Sequence, residues 1–141
     1  MKKLNPILSK PYCGWSSFCV GDFSFSVSYV TDAPQDILDA LINNIKYNVS
    51  TVVGLDSEGT ECTVVFCPYA GIYTIINKSD NDVLDNKIEA RYFMINIKRV
   101  AKQFIKDIED YKELWADWQT FTEEDPKKYY DLSELKTLVN D

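Results

Sequence analysis

Residues 107–125 combine acidic and aromatic side chains in a pattern that suits binding to a positively charged partner. This stretch holds eight acidic residues and one lysine, whereas the rest of the chain holds 14 acidic and 14 basic residues, so it carries the whole net charge of −7. The acids are interleaved with Tyr111, Trp115, Trp118 and Phe121. Carboxylates speed the encounter with a basic surface, and exposed aromatic rings anchor it. The chemistry predicted here is recognition rather than catalysis.

We expect the partner-binding residues to come from this stretch and from the tyrosine pair that follows it. Tyr111, Trp115 and Trp118 all have the spacing of core residues, and Trp118, which lies nearest the end of the predicted helix, is the one of the three expected to be the most exposed. Tyr129 and Tyr130 are adjacent, so they cannot both face the same way, and one should be accessible. The expected partner-binding residues are Asp107, Asp110, Glu113, Asp117, Trp118, Glu123, Glu124, Tyr129 and Tyr130.

The helix predicted for this region has its charges reversed relative to the helix dipole. Lys98, Arg99 and Lys102 lie near its start, and the acids lie near its end. The dipole favours the opposite arrangement by about 0.3–1 kcal/mol per charge, and a locally disfavoured pattern indicates a functional role. The alternative is a solvated helix whose charges pair locally, as Lys106 and Asp110 can at a spacing of four residues.

Nucleophilic catalysis has little support in the sequence. The chain contains no histidine and no glycine-rich phosphate loop, so Ser–His catalysis is excluded, and Cys13, followed by Gly14 and Trp15, has no histidine to activate it. We therefore expect no catalytic residues. An enzyme that uses carboxylates alone is the least favoured alternative, because no pair of acids is singled out by its spacing.

A calcium loop is suggested by Asp80, Asp82, Asp85 and Glu89, but the pattern fails. An EF-hand needs glycine at its sixth position and glutamate at its twelfth, where this chain has Asp85 and Arg91. The stretch 79–86 instead has the composition of a polar loop. We expect neither a metal nor a cofactor.

Composition points to a globular protein of a single domain spanning residues 1–141. The sequence pI near 4.6 argues against direct binding to nucleic acid and against anionic membrane surfaces. Lys2 and Lys3 resemble the start of a signal peptide, but Asn5, Pro6 and Ser9 interrupt any apolar segment after them. We expect a cytoplasmic protein whose four cysteines are free thiols. Their positions are Cys13, Cys19, Cys62 and Cys67.

Hydrophobic periodicity predicts an α+β fold with a mainly antiparallel sheet of five to six strands. One helix follows the first hairpin, and two helices lie at the C-terminal end. Asp32 and Gln35 predict a capping box for the first helix, Asn48 its end, and Asn96 the start of a long helix that continues over six turns to Trp118. The predicted strands are 15–20, 23–29, 51–56, 60–67, 72–77 and, in preference to a helix, 88–95. The last helix starts after Pro126 or after Asp131.

The segment Gly21-Asp22-Phe23-Ser24-Phe25-Ser26-Val27-Ser28-Tyr29-Val30-Thr31-Asp32-Ala33-Pro34 and the helix that follows it resemble small acidic bacterial immunity proteins of polymorphic and contact-dependent toxin systems. The acidic helical end is similar to theirs as well. The resemblance lies in size, charge and order of elements, and it transfers no residue role. It implies a non-enzymatic inhibitor that binds a cognate, basic toxin domain. A generic protein–protein adaptor or a mobile-element accessory protein is the alternative.

Overall fold

The fold is α+β, with six strands in two antiparallel sheets and four helices in the described part of the chain. The structure is a computed structural model that describes residues 5–68, 71–78, 88–120, 122 and 124–140. The strands are β1 (Trp15–Val20), β2 (Phe23–Ser28), β3 (Thr51–Asp56), β4 (Thr60–Cys67), β5 (Gly71–Lys78) and β6 (Ile88–Met94). The helices are α1 (Ala33–Tyr47), α2 (Ile97–Asp110), α3 (Lys112–Ala116) and α4 (Ser133–Asn140).

The strands divide between a hairpin and a four-stranded sheet instead of forming one sheet. β1 pairs with β2, and the larger sheet has the order β3-β4-β5-β6. The β2 alternation places Phe23, Phe25 and Val27 in the core and leaves Ser24 and Ser26 exposed, as expected of a half-solvated strand. The prediction that 60–67 is an internal strand is confirmed, and so is the preference for a strand in 88–95.

The predicted end of α1 and the predicted start of α2 are confirmed, whereas the predicted start of α1 is only partly so. Asn48 ends α1 in the left-handed conformation, and the side chain of Asn96 caps α2 by accepting from the backbone N–H of Arg99. The capping box predicted for α1 is wrong. No side chain caps that helix, because Gln35 donates to Asp39 and the Asp32 carboxylate is bonded elsewhere.

The last helix starts after Asp131, the second of the two predicted positions. Asp131 accepts hydrogen bonds from the backbone N–H and the hydroxyl of Ser133, which lowers the pKa of its carboxyl. Leu135 and Val139 of α4 join one hydrophobic core with the inner faces of both sheets and with α1 and α2. None of the described helices is long and apolar enough to cross a membrane.

The prediction of one continuous helix to Trp118 is wrong, because the helix breaks at Tyr111. The backbone there has φ −131° and ψ 39°, and the short helix α3 follows. The break allows both neighbouring indoles to enter the core with their N–H groups satisfied. Trp115 donates to the backbone carbonyl of Asp107 at 3.2 Å, and Trp118 donates to that of Thr31 at 2.9 Å. Buried indole area and two satisfied donors offset the interrupted helix.

Asp107 is a structural residue, so its prediction as a partner-binding residue is wrong. It is 5% exposed. Its Oδ2 accepts from the backbone N–H of Ile7 at 2.6 Å and of Leu8 at 3.1 Å, and its Oδ1 accepts from the Gln103 amide at 2.8 Å. Burial raises the pKa of this carboxyl, although the three hydrogen bonds oppose the shift. Asp107 therefore ties the N-terminal segment to α2.

Replacing Asp107 should separate its hydrogen-bonding role from its charge. We expect Asp107→Ala to lower the free energy of unfolding by about 2–3 kcal/mol, because two backbone N–H groups lose their acceptor. Asp107→Asn keeps one acceptor and should lose less. Urea denaturation followed by circular dichroism measures both. An alanine variant as stable as the wild type would contradict the anchoring role.

The difference in stability between the wild type and Asp107→Asn should depend on pH. The folded-state pKa of Asp107 lies above its ordinary value of 3.8, so the protonated form is favoured by folding. The stabilisation that Asp107 contributes is therefore fully present below pH 3.8 and is lost as the pH rises through the raised pKa of the folded state. The stability of the wild type relative to Asp107→Asn should therefore fall as the pH rises through this window. A relative stability that rises with pH would show that the hydrogen bonds outweigh burial.

All four cysteines are free thiols in the structure, in very different surroundings. Cys62 is buried, which raises the pKa of its thiol to about 11, whereas Cys13 is exposed. Cys67 lies on the opposite face of β4 from Cys62, as the spacing of five residues predicts.

We expect iodoacetamide to label Cys13 first and Cys62 last in the native protein, and all four cysteines in denaturant. Fast native labelling of Cys62, or fewer than four thiols in denaturant, would contradict the structure.

Candidate functional site

A groove of about 410 Å³ lies between α3 and the turn that precedes β1. Two features described above create it. Asp107 holds the N-terminal segment against α2, and the break at Tyr111 directs α3 towards that segment. The groove is lined by Pro11, Tyr12, Cys13, Gly14, Tyr29, Leu114, Asp117, Trp118 and Thr120.

One wall of the groove is a tight turn that presents Tyr12 to solvent. Tyr12 and Trp15 exchange backbone hydrogen bonds of 2.8 and 3.0 Å across Cys13 and Gly14, both of which have positive φ. A side chain at Gly14 would overlap the ring of Tyr29, so the turn requires glycine there. The turn leaves the Tyr12 side chain 78% exposed.

The other wall comes from α3 and the residues that directly follow it, which contribute Leu114, Asp117 and Trp118. Leu114 is 43% exposed. Trp115 and Trp118 pack against each other with ring centroids 5.2 Å apart. Trp118 is only 4% exposed, so the prediction that it is the exposed indole is wrong. Its role is to fix α3 on the loop after β2, where Gln119 also donates to the carbonyl of Tyr29 at 3.3 Å.

Further exposed apolar side chains are neighbours in the chain of lining residues. Trp15 follows Gly14, Val30 follows Tyr29, and the exposed ring of Tyr111 has its centre 5.5 Å from the ammonium of Lys10, which precedes Pro11. Exposed aromatic residues are the usual anchors of a protein interface. The sequence did not reveal Tyr12 or Leu114 as binding residues, because only the tertiary contact of the turn with α3 brings them together.

Three of the predicted acids are exposed, and one of them lines the groove. Asp110 ends α2, Glu113 lies in α3, and Asp117, the lining residue, directly follows α3. The Lys127 ammonium lies 3.5 Å from both Glu113 and Asp117, and Lys106 pairs with Asp110 as the local-pairing alternative proposed. Such exposed pairs are worth little to stability, so a partner can displace them at small cost.

The tyrosine pair divides as predicted, with one accessible ring. Tyr129 is exposed, and its hydroxyl donates to the Glu113 carboxylate at 2.8 Å, which lowers the pKa of Glu113. Tyr130 is part of the fold instead. Its hydroxyl donates to Asp32 at 2.7 Å, Lys128 pairs with the same carboxylate, and burial raises the pKa of the phenol.

The structure thus exposes some of the residues predicted to bind a partner and buries others. The exposed residues Glu113, Asp117 and Tyr129 are connected to one another, since Tyr129 donates to Glu113 and Lys127 pairs with both acids, and Asp110 is exposed at the end of α2. Glu124 is also exposed. The residues of the earlier predictions that lie outside the described part of the chain are Asp80, Asp82, Asp85, Phe121 and Glu123. Within the described ranges, no group of three or more His, Cys, Asp or Glu residues is arranged to hold a metal ion.

The chemistry open to this surface is the binding of a cationic side chain with an apolar stem. Carboxylates at the rim provide opposite charge, and Leu114 and the aromatic rings provide apolar contact. No match to the chain was found among models of protein families, curated proteins or solved structures.

Proposed function

We propose that this chain is a non-enzymatic inhibitor, an immunity protein that binds a basic bacterial toxin domain and occludes its active site. The observation that carries the proposal is a groove that exposes Tyr12 and Leu114 and is lined by Asp117, whose carboxylate shares the Lys127 ammonium with Glu113. The resemblance of the chain to acidic immunity proteins supports the same conclusion.

Charge attracts the partner in the first step. The net charge of −7 and the exposed acids Asp110, Glu113 and Asp117 favour the approach of a basic partner, and such electrostatic steering raises association rates by about 10–10³-fold. Lys127 shows that a primary ammonium is attracted to the space between Glu113 and Asp117, at 3.5 Å from each. A lysine or arginine of the partner replaces it in the complex.

Apolar contact retains the partner in the second step. Tyr12 and Leu114 are free to become buried, and burial of such anchors slows dissociation more than it changes association. Trp118, which lines the groove, is held in place, since its indole donates to the backbone carbonyl of Thr31 and packs on Trp115. A preorganised surface loses less conformational entropy when it binds.

The adaptor alternative uses the same surface but predicts a different result. An adaptor binds without abolishing the activity of its partner, whereas an inhibitor abolishes it at a molar ratio near one. A catalytic role gains no support from the buried carboxyl of Asp107, since both of its oxygens are occupied by hydrogen bonds within the chain.

Charge reversal beside the groove should slow association. We expect Asp110→Lys/Glu113→Lys/Asp117→Lys to fold, because the ion pairs it removes are exposed. The variant should associate about 10–100-fold more slowly at low salt and should lose most of its salt dependence. The measurement is the association rate against ionic strength, with a partner obtained by co-purification and with its enzymatic activity assayed in parallel.

The matched control reverses three exposed acids elsewhere. Glu58→Lys/Glu61→Lys/Glu89→Lys changes the net charge by the same amount and should associate nearly as fast as the wild type. If both variants slow equally, only net charge matters and the groove is not the site. If the first variant binds as fast as the wild type, the acids beside the groove have no part in binding.

Removing the apolar side chain of Tyr12 or Leu114 should speed dissociation of the complex. We expect Tyr12→Ala and Leu114→Ala each to raise the dissociation rate by about 10–30-fold, with the association rate within about twofold of the wild type. Tyr47→Ala is the control, because Tyr47 is as openly exposed but lies at the end of α1. Surface plasmon resonance gives both rates. Unchanged dissociation for Tyr12→Ala and Leu114→Ala would remove the groove from the interface.

A further inference from the structure

The outer face of the four-stranded sheet is a second exposed surface, and it is almost free of charge. The register places Val52, Val65, Tyr73 and Tyr92 directly opposite one another across all four strands. The neighbouring row consists of Gly54, Thr63, Ile75 and Ala90. By strand alternation, the charged side chains on this face are, among the described residues, Asp56 and Glu61, both beside the turn from β3 to β4.

The side chains of this face are large, apolar and held in place. Met94 is 83% exposed and Val52 is 63% exposed. The rings of Tyr73 and Tyr92 lie 5.0 Å apart, and the Tyr92 ring covers Gly71, where any Cβ would overlap it. An aromatic ring laid over a strand glycine is a built feature of a sheet surface. Exposed apolar side chains grouped in this way mark a site of interaction.

The other face of the sheet is fully used by the fold. Val53, Val64, Phe66, Ile72 and Ile76 belong to the core that the sheet shares with the helices. Thr51, whose side chain points inward, donates its hydroxyl to the carbonyl of Ala40 in α1 at 2.8 Å. The helices that carry the acidic residues therefore lie on the side of the sheet opposite the uncharged face.

We propose that the uncharged face binds a second copy of this chain, giving a symmetric dimer through the two sheets. The two central rows offer no counter-charge to a charged ligand, and nucleic acid is disfavoured by a net charge of −7. Two copies, in contrast, bring these uncharged rows together, with Asp56 and Glu61 at the edge beside the turn from β3 to β4. Their acidic sides point away from each other, which keeps the like-charge repulsion small.

The pattern of side-chain sizes makes the face complementary to itself. Sheets that pack face to face lie about 10 Å apart and interdigitate their side chains. A two-fold axis parallel to the strands, between β4 and β5, sets β3 of each copy over β6 of the other. Val52, at the end of the row with small side chains, then faces Tyr92 of the other copy, and symmetry repeats this contact twice in the dimer.

The area of the face sets the expected strength of the dimer. Four strands about 4.8 Å apart and about six residues long give a projected footprint near 400 Å². Protruding side chains raise the accessible area towards the roughly 800 Å² per partner of a standard interface. A small interface of this kind predicts a dimer of micromolar affinity, which is visible only as a function of concentration.

Sedimentation velocity tests the dimer on the full chain without any partner protein. For the wild type we expect a shift from monomer to dimer between about 1 and about 300 µM. Val52→Lys/Met94→Lys should stay monomeric over this range, because the dimer would bury unpaired ammonium groups. Ser24→Lys/Ser26→Lys adds the same charge at exposed strand positions of the hairpin and should dimerise like the wild type.

Each outcome decides the proposal. A wild type that stays monomeric throughout overturns it, and so does a Val52→Lys/Met94→Lys protein that still dimerises. If the lysine variant does not fold by circular dichroism, Val52→Thr/Met94→Gln takes its place and should weaken the dimer at least tenfold. An unchanged dimer in that variant overturns the proposal too. None of these results depends on the toxin-binding proposal, which concerns the opposite side of the molecule.

Discussion

The Asp107 carboxylate is the contact on which the proposed binding surface depends. It joins α2 to backbone N–H groups of residues about 100 positions earlier, and the same turn of the helix supplies the carbonyl that satisfies Trp115. A buried carboxylate of this kind stabilises the fold only while its oxygens accept hydrogen bonds, because an unpaired donor or charge in the core lowers the free energy of unfolding. Because the N-terminal segment is held there, the turn at Cys13 and Gly14 lies beside α3 and completes the groove.

The break at Tyr111 shows how burial of aromatic area overrides local helix preference. A straight continuation of α2 fits the hydrophobic spacing, and the free energy at stake in helix propensity is only a few tenths of a kcal/mol per residue. Burying the rings of Trp115 and Trp118 is worth several times more. The break also separates the acids, since Asp107 lies inside while Glu113 and Asp117 emerge on the short helix with Leu114.

The molecule has two surfaces with exposed apolar side chains, and they differ in charge. The groove beside α3 exposes Tyr12 and Leu114 together with Asp117, whereas the tyrosine and valine row on the outer face of the sheet carries no charge. Because the two surfaces are separate, the two proposed interactions, with a basic protein and with a second copy, would be compatible with each other. A dimer of this form would present two grooves facing away from each other.

The sequence by itself determined most of the secondary structure but not the break at Tyr111. The alternation in β2, the internal character of β4, the strand 88–95 and the helix boundaries at Asn48, Asn96 and Asp131 all follow from local periodicity and capping. It also determined that the net charge lies in one stretch. Tertiary structure alone decided which acids are exposed, because burial of Asp107 depends on N–H groups from a distant segment. It likewise decided that Trp118 is buried while Tyr12 and Leu114 are exposed, because those exposures follow from how α3 packs against the loop after β2.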